Sequence, residues 1–253
     1  MSEAVVVSQS GRVLVITMSR PERRNAVDGE LSRGVAAALD RLDSDPGLAV
    51  GVLVGAGGTF CAGMDLKAFL AGDQPVDPDR GFGGIVGRPP EKPLCAAVEG
   101  YALAGGLEIM LACDLVVAAR DAEFGLPEVK RGLTPGGGGV LRLAQRIPPA
   151  VALDILLTGD FFSAERAFEL GLVTRLAEPG SALDDALDLA QRIAANAPLA
   201  VRTTKRLATN VNAASADEWD RHLAAALALM KSDDAAEGAR AFAERRSPRW
   251  SGR

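Results

Sequence analysis

Residues 100–114 read GYALAGGLEIMLACD, and the interpretation of the whole chain starts from this stretch. Gly105 and Gly106 precede an apolar run over residues 107–113, which predicts the start of a buried helix. A single carboxylate, Glu108, lies inside that run. Burial of a charged group costs free energy unless the group is paired or used. Glu108 is therefore either a carboxylate on a half-exposed helix face or a desolvated acid or base with a raised pKa.

A second carboxylate, Glu128, follows Pro127 in a predicted loop over residues 124–128. Taken alone it has the features of an ordinary surface glutamate, because most glutamates are exposed. Taken with Glu108 it suggests a different function. Two carboxylates can hold one water molecule between them, one removing a proton and the other donating one.

Backbone N–H groups supply the third part of this pattern. The first N–H groups of a helix have no partner within the helix, so Gly105 can donate a hydrogen bond outward. The glycine-rich loop at Gly63 and Met64 offers another donor. Two such donors aimed at one point form an oxyanion hole. The alternative is that these glycines only permit tight turns and close helix packing, and the spacing does not separate the two interpretations.

Outside this region the chain alternates between strands, loops and helices, which indicates an α/β fold. Asp28 is the expected N-cap of a helix that ends near residue 42. The polar segment 72–93 is rich in Gly, Pro and Asp, and we predict a mobile surface loop there. The predicted strands are 5–7 and 13–18 as a hairpin, then 49–54, 93–98 and 115–119, and the chain becomes helical from about residue 154. The Gly55-Ala-Gly57 sequence does not predict a dinucleotide site, because Phe60 occupies the position of the third glycine.

Composition excludes several functions. The 253 residues carry 28 basic and 33 acidic side chains, a net charge of −5, which disfavours nucleic acid and anionic membranes as partners. The single histidine, His222, rules out a zinc site built from several histidines, so we predict no metal and give His222 no role. Cys61, Cys95 and Cys113 are widely spaced in apolar contexts, which predicts buried thiols in a reducing compartment. The N-terminus has no signal-peptide pattern, so we expect a cytoplasmic protein.

Six segments together resemble the enoyl-CoA hydratase/isomerase, or crotonase, superfamily. They are SRPERRNA at 19–26, FCAGMDLK at 60–67, GYALAGGLE at 100–108, FGLPE at 124–128, GLTPGGGGVLRL at 132–143 and EGARAFAERR at 237–246. The second and third segments are the most specific, and the resemblance covers nearly the whole chain. It implies an α/β fold with a crotonase-type ββα spiral core and a C-terminal helical trimerisation region.

The resemblance also implies how the chain is divided and what it binds. Residues 1–195 would form the spiral core with an acyl-CoA site, and residues 196–253 a helical region for oligomerisation and CoA contacts. Trp219 and the predicted helices 199–211 and 223–230 are candidates for subunit contacts in a homotrimer or a hexamer made of two trimers. The substrate would be an acyl-CoA thioester. No cofactor is implied, since coenzyme A is part of the substrate.

Individual site residues follow from the matched segments. The catalytic glutamates of the family match Glu108 and Glu128, and its oxyanion donors match the backbone N–H groups of Met64 and Gly105. Ala104 stands where a third glycine would precede Gly105, which is a minor departure from the family pattern. The positions that resemble substrate and CoA contacts are Arg24, Ala62, Met64, Asp65, Leu66, Lys67, Gly105, Phe242 and Arg245.

The implied activity is that of an enoyl-CoA hydratase, which adds water reversibly and with syn geometry to a 2-trans-enoyl-CoA. Glu108 would orient and deprotonate the water, and Glu128 would deliver a proton to Cα. Segments 65–68 and 81–84 and the C-terminal end resemble the carnitinyl-CoA dehydratase-like branch, so a specialised hydro-lyase is one alternative. An enoyl-CoA isomerase that uses one glutamate is another. RNA binding or a catalytically silent assembly role is a further alternative, disfavoured by the balanced charges of the first helix and by the intact glutamate pair.

Overall fold

The computed structural model describes residues 4–210, 220, 223–224, 227–228, 230–246 and 249. The strands are β1 (Val5–Ser10), β2 (Val13–Met18), β3 (Val50–Gly55), β4 (Val76–Asp77), β5 (Gly81–Phe82), β6 (Leu94–Val98), β7 (Tyr101–Leu103), β8 (Leu115–Ala119), β9 (Glu123–Gly125), β10 (Phe162–Ser163) and β11 (Arg175–Ala177). The helices are α1 (Gly29–Ser44), α2 (Leu66–Leu70), α3 (Gly105–Ala112), α4 (Gly139–Arg146), α5 (Pro149–Thr158), α6 (Ala164–Glu169), α7 (Ala182–Ala194), α8 (Pro198–Asn210) and α9 (Asp233–Glu244). Short 3-10 turns cover Pro21–Arg23 and Pro127–Arg131.

The strands form a large sheet and a small sheet that the chain visits alternately. The large sheet has six strands in the order β1-β2-β3-β6-β8-β11, parallel except for the β1-β2 hairpin. The small sheet has the order β10-β9-β7. A strand of the large sheet, a strand of the small sheet and a helix follow one another twice, as β6-β7-α3 and as β8-β9 followed by α4. The predicted α/β spiral is therefore confirmed.

The alternation of side chains along each strand divides the core between the two faces of the large sheet. In β2, Leu14 and Ile16 face the main core, whereas Val13 and Val15 face the other side. Helix α7 covers that second face with Ala182, Ala186, Leu189 and Ala190. Each fully buried valine, leucine or isoleucine of these strands contributes about 1.5–3 kcal/mol relative to exposure. The small alanines let α7 lie close to the valine-rich strands.

Helix α1 begins where the sequence predicts, because the Asp28 side chain accepts a hydrogen bond from the Leu31 N–H at 2.9 Å. Leu31, Val35, Leu39 and Leu42 are buried along one face of this helix. The helix continues to Ser44, two residues beyond the predicted end.

The C-terminal boundary predicted at residue 195 falls between α7 and α8 and stays a prediction. Trp219 and His222 lie outside the described residues.

The segment 72–93 differs from its prediction, because it is fixed to the body of the protein. Arg80 within it is fully buried. Its guanidinium donates to Asp40 Oδ1 at 3.0 and 2.8 Å, lies 3.3 Å from Asp43 Oδ2, and donates to the Arg88 carbonyl at 2.7 Å. Ile85 and Val86 are also buried. The prediction of a mobile surface loop was therefore wrong: acids of α1 and the apolar core hold this segment.

Arg80→Met is expected to lower the free energy of unfolding by about 3 kcal/mol, since it leaves Asp43 and the Arg88 carbonyl without their cation. The matched control is Arg88→Met. Arg88 contacts the same Asp40 at 3.3 Å, but its side chain is about half exposed, so this variant should lose less than about 1 kcal/mol. Urea unfolding followed by circular dichroism measures both losses. Equal losses in the two variants would contradict the role given to burial.

The structure also bears on the cysteines and on membrane crossing. All three cysteines are buried and unbonded, and burial raises the pKa of Cys61 and of Cys95 to about 12, so both remain neutral thiols. Across the described ranges, no helix combines the length and the apolar character that a membrane crossing requires.

Candidate active site

Glu108 lies in the first turn of α3 and is almost completely buried. The Gly139 N–H, which opens α4, donates to its Oε1 at 2.8 Å. A Cβ atom at Gly137 would lie 2.7 Å from Glu108 Oε2, so only glycine fits beside the carboxylate. Burial raises the pKa of Glu108, and the hydrogen bonds from Gly139 and Gly137 oppose that shift. The helix is fully buried, which excludes the alternative of a half-exposed carboxylate.

Glu128 lies in the Pro127–Arg131 turn and is also buried. Its Oε2 atom has no hydrogen-bond partner among the described residues. Burial raises the pKa of Glu128, and the negative charge of Glu108 raises it further, while Arg131 acts in the opposite direction. The two carboxylates are therefore close enough to titrate as a pair.

The surroundings of the two carboxylates favour different protonation states. Glu108 receives backbone N–H hydrogen bonds, which stabilise the ionised form. Glu128 receives one such bond, from its own backbone N–H, but it has no donor to Oε2 and is exposed to the charge of Glu108, which favours the neutral acid. Such a pair can supply a base and an acid at the same pH.

The loop that carries Met64 is aligned by pairing with Val27. The Val27 N–H donates to the Gly63 carbonyl at 2.8 Å, and the Asp65 N–H donates to the Val27 carbonyl at 2.9 Å. Because the Gly63 carbonyl and the Asp65 N–H both face Val27, the N–H of Met64 between them faces away from Val27. Gly105 is the first residue of α3, so its N–H lacks a helical partner.

Gly63 brings these two donors together. Its φ of +100° lies in the region that favours glycine, and a Cβ atom there would lie 2.9 Å from Ala104 Cβ and 3.3 Å from the Gly105 nitrogen. The Met64 loop therefore passes directly over the start of α3. Two oxyanion donors must lie near one point, and this close approach places the residues that carry them side by side.

Ala104, the departure from the family pattern, keeps a glycine-like conformation. Its φ is 50° and its ψ is −125°, a region that costs an L-residue about 1–3 kcal/mol. The Ala104 N–H donates to the Gly125 carbonyl of β9 at 2.8 Å. This tertiary contact stabilises the conformation, so the turn before Gly105 is retained.

The remaining N-terminal candidates lie on two adjoining segments, one with Arg24 and the other at residues 62–67. The Ala62 N–H donates to the Arg24 carbonyl at 3.0 Å, and the Arg24 side chain is exposed. The Asp65 carboxylate caps α2 and lies 3.0 Å from Arg20, so the chain itself occupies it. Leu66 is half-buried and Lys67 is exposed at the start of α2.

The two C-terminal candidates lie next to the turn that carries Glu128. The Arg131 guanidinium stacks on the Phe242 ring, 4.7 Å from its centroid. Arg245 follows the last residue of α9, is exposed, and has a left-handed φ of 55°. Their contact with CoA stays a prediction.

Sequence reasoning missed three features of the site. It gave the run Gly136–Gly139 no part in the site, yet Gly137 and Gly139 surround the Glu108 carboxylate. It did not single out Phe82, whose ring would lie 2.5 Å from a Cβ at Gly105. It did not assign Arg131 a role. The four consecutive glycines were the one available signal, because such a run indicates close approach of another group.

No group of three or more potential metal ligands occurs within the part of the chain that the structure describes. A cavity of about 810 Å³ between α3, α4 and α8 includes neither Glu108 nor Glu128 in its lining.

Comparison with known proteins gives a consistent family match. Residues 8–253 match the sequence profile of the family described as enoyl-CoA hydratase/isomerase. A curated enoyl-CoA hydratase of Mycobacterium tuberculosis is 43% identical over 256 residues, covering 98% of this chain and 96% of the relative. The carnitinyl-CoA dehydratase of Salmonella arizonae is 40% identical over 262 residues, with full coverage of both chains.

Solved structures agree with this match. A carnitinyl-CoA hydratase from Mycobacterium avium has a TM-score of 0.95 at 44% identity, with complete coverage of both chains. An enoyl-CoA hydratase from Mycobacterium tuberculosis has a TM-score of 0.82 at 57% identity, covering 99% of this chain and all of the other. The chain is thus similar over its whole length to proteins of both names.

Proposed function

This chain belongs to the enoyl-CoA hydratase/isomerase family, and we propose that it adds water reversibly, with syn geometry, to a 2-trans-enoyl-CoA thioester. The observation that carries this proposal is the buried pair of Glu108 and Glu128, whose surroundings favour opposite protonation states. The relatives named enoyl-CoA hydratase and carnitinyl-CoA dehydratase support a carbon–oxygen lyase.

In the proposed reaction Glu108 removes a proton from a bound water molecule while the oxygen of that water bonds to C3 of the enoyl group. The electron pair of the double bond moves toward the thioester oxygen, which becomes enolate-like. The N–H groups of Met64 and Gly105 stabilise that charge. Glu128 then donates its proton to C2, so the product is the 3-hydroxyacyl thioester. Glu108 ends protonated and Glu128 ionised, and proton exchange with solvent restores the pair.

Two observations bear on the alternative activities. An isomerase needs one carboxylate to move a proton between two carbons, whereas two carboxylates on one water suit hydration. A carnitinyl-CoA dehydratase-type activity is the second candidate, favoured by the TM-score of 0.95 to a protein of that branch. Both candidates use the same glutamates and differ in the substituent on the acyl chain.

The assembly and environment are also proposed on the resemblance. We propose a homotrimer, or two trimers paired into a hexamer, in the cytoplasm, with coenzyme A entering only as part of the substrate. Exposed apolar side chains support subunit contacts. They include Leu153, Leu157, Phe168 and Leu199.

The direct test is the enoyl-thioester absorbance after the protein is mixed with crotonyl-CoA. We expect the absorbance to fall, with 3-hydroxybutyryl-CoA as the product. Crotonobetainyl-CoA assayed in parallel identifies the carnitinyl-CoA branch if it is the faster substrate. A shifted double bond without added water would identify an isomerase. No conversion of any enoyl thioester despite saturable CoA binding would contradict the proposal.

A further inference from the structure

Helix α9 packs on the backbone of the turn that carries Glu128. A Cβ atom at Gly238 would lie 1.9 Å from the Arg131 carbonyl oxygen, so α9 approaches as closely as a glycine allows. One turn further along α9, the Phe242 ring lies against the Arg131 guanidinium, 4.7 Å from its carbon. The helix thus holds both the backbone and the side chain of Arg131.

Arg131 differs from the other cations beside this contact. Lys130 pairs with Asp160 at 2.6 Å, and Arg246 pairs with Glu237 of α9 at 2.6 Å. No ion pair within the described residues joins Arg131 to a carboxylate. Its half-buried charge acts on Glu128, a buried acid that lies three residues earlier in the same turn.

We propose that Arg131, held by stacking on Phe242 and by the close approach of Gly238, is a positioning residue for the turn that carries the acid Glu128. This inference rests on the proposed role of Glu128 as the proton donor. A cation in this turn also limits how tightly Glu128 binds its proton, and a reversible hydratase needs that limit because the acid must both give up and recover its proton. Helix α9 thereby becomes part of the catalytic apparatus without touching the reacting atoms.

The charges around Glu128 give the sign of the expected effect. Burial and the Glu108 charge raise the pKa of Glu128, and Arg131 is the cation that opposes them. Lys130 and Arg246 already face their own acids. Removal of the Arg131 charge should therefore raise the pKa of Glu128 further, so the neutral acid persists to higher pH.

The experiment is the pH profile of kcat/KM for crotonyl-CoA hydration. In Arg131→Gln we expect the alkaline limb to move up by about one pH unit and kcat to fall about tenfold. Arg131→Lys keeps a positive charge, so its alkaline limb should lie close to that of the wild type. Phe242→Leu keeps apolar packing but removes the ring, so its alkaline limb should move part of the way. Arg166→Gln is the control, since Arg166 is an exposed arginine paired with Glu169 on α6.

A lower kcat with an unmoved alkaline limb in both Arg131→Gln and Phe242→Leu would show a structural role only and overturn the inference. Full activity with an unchanged profile in Arg131→Gln would also overturn it. If Arg131→Gln does not fold, Phe242→Leu and Arg131→Lys report on the same limb. Unchanged hydration in Glu128→Gln would instead overturn the proposed function and this inference with it.

Discussion

Glu108→Gln and Glu128→Gln are each expected to lower kcat for crotonyl-CoA hydration by about 10²- to 10⁴-fold. Glutamine has nearly the same shape as glutamate, but it can neither accept a proton from water nor deliver one to carbon. Because the two carboxylates act together in one reaction, the double variant should be little slower than the slower single variant. Steady-state rates on all three variants measure both effects.

Thermal unfolding separates lost chemistry from lost folding. Glu128 Oε2 is buried without a hydrogen-bond partner, so the neutral amide in Glu128→Gln should leave Tm unchanged or slightly higher. Glu165→Gln is the matched control, since Glu165 is exposed in the first turn of α6 and should retain full activity. Wild-type rates in either active-site variant would disprove the assignment of two catalytic carboxylates.

The parts of the site that could be predicted from sequence are those with an unusual local pattern. An acid within the apolar helix 107–113 and a glycine pair in front of it both stand out without any knowledge of the fold. What holds Glu108 could not be predicted, because Gly137 and Gly139 lie about thirty residues away along the chain. Contacts between residues so far apart in the sequence depend on how the chain winds through the whole fold.

The error at residues 72–93 has the same origin. The Gly, Pro and Asp content of this segment correctly indicates irregular backbone but does not indicate whether the segment is buried. The burial of segment 72–93 depends on Arg80, whose partners Asp40 and Asp43 lie on α1. The short strand β7 was missed for a related reason, since three residues show no periodicity and Tyr101–Leu103 pairs with β9, about twenty residues further along the chain.

The oxyanion geometry gives the second large prediction. Gly63→Ala is expected to lower kcat by about 10²- to 10³-fold, comparable to the loss of one oxyanion donor. The new methyl group would lie 2.9 Å from Ala104 Cβ and 3.3 Å from the Gly105 nitrogen, which forces the Met64 loop away from α3. Because the donors act on charge that develops in the transition state, kcat and kcat/KM should fall together while KM changes little.

Gly58→Ala separates this effect from backbone strain. Gly58 has a φ of +72°, so alanine is strained there too, but no atom lies within 4 Å of the added methyl group. It should lower Tm and leave kcat near the wild-type value. Adding Ala104→Gly to Gly63→Ala removes the closest obstructing atom, and we expect about tenfold recovery of kcat, equivalent to about 1.4 kcal/mol of activation free energy. If Gly58→Ala loses as much activity as Gly63→Ala, or if the double variant shows no recovery, contact between the Met64 loop and the start of α3 does not set the oxyanion geometry.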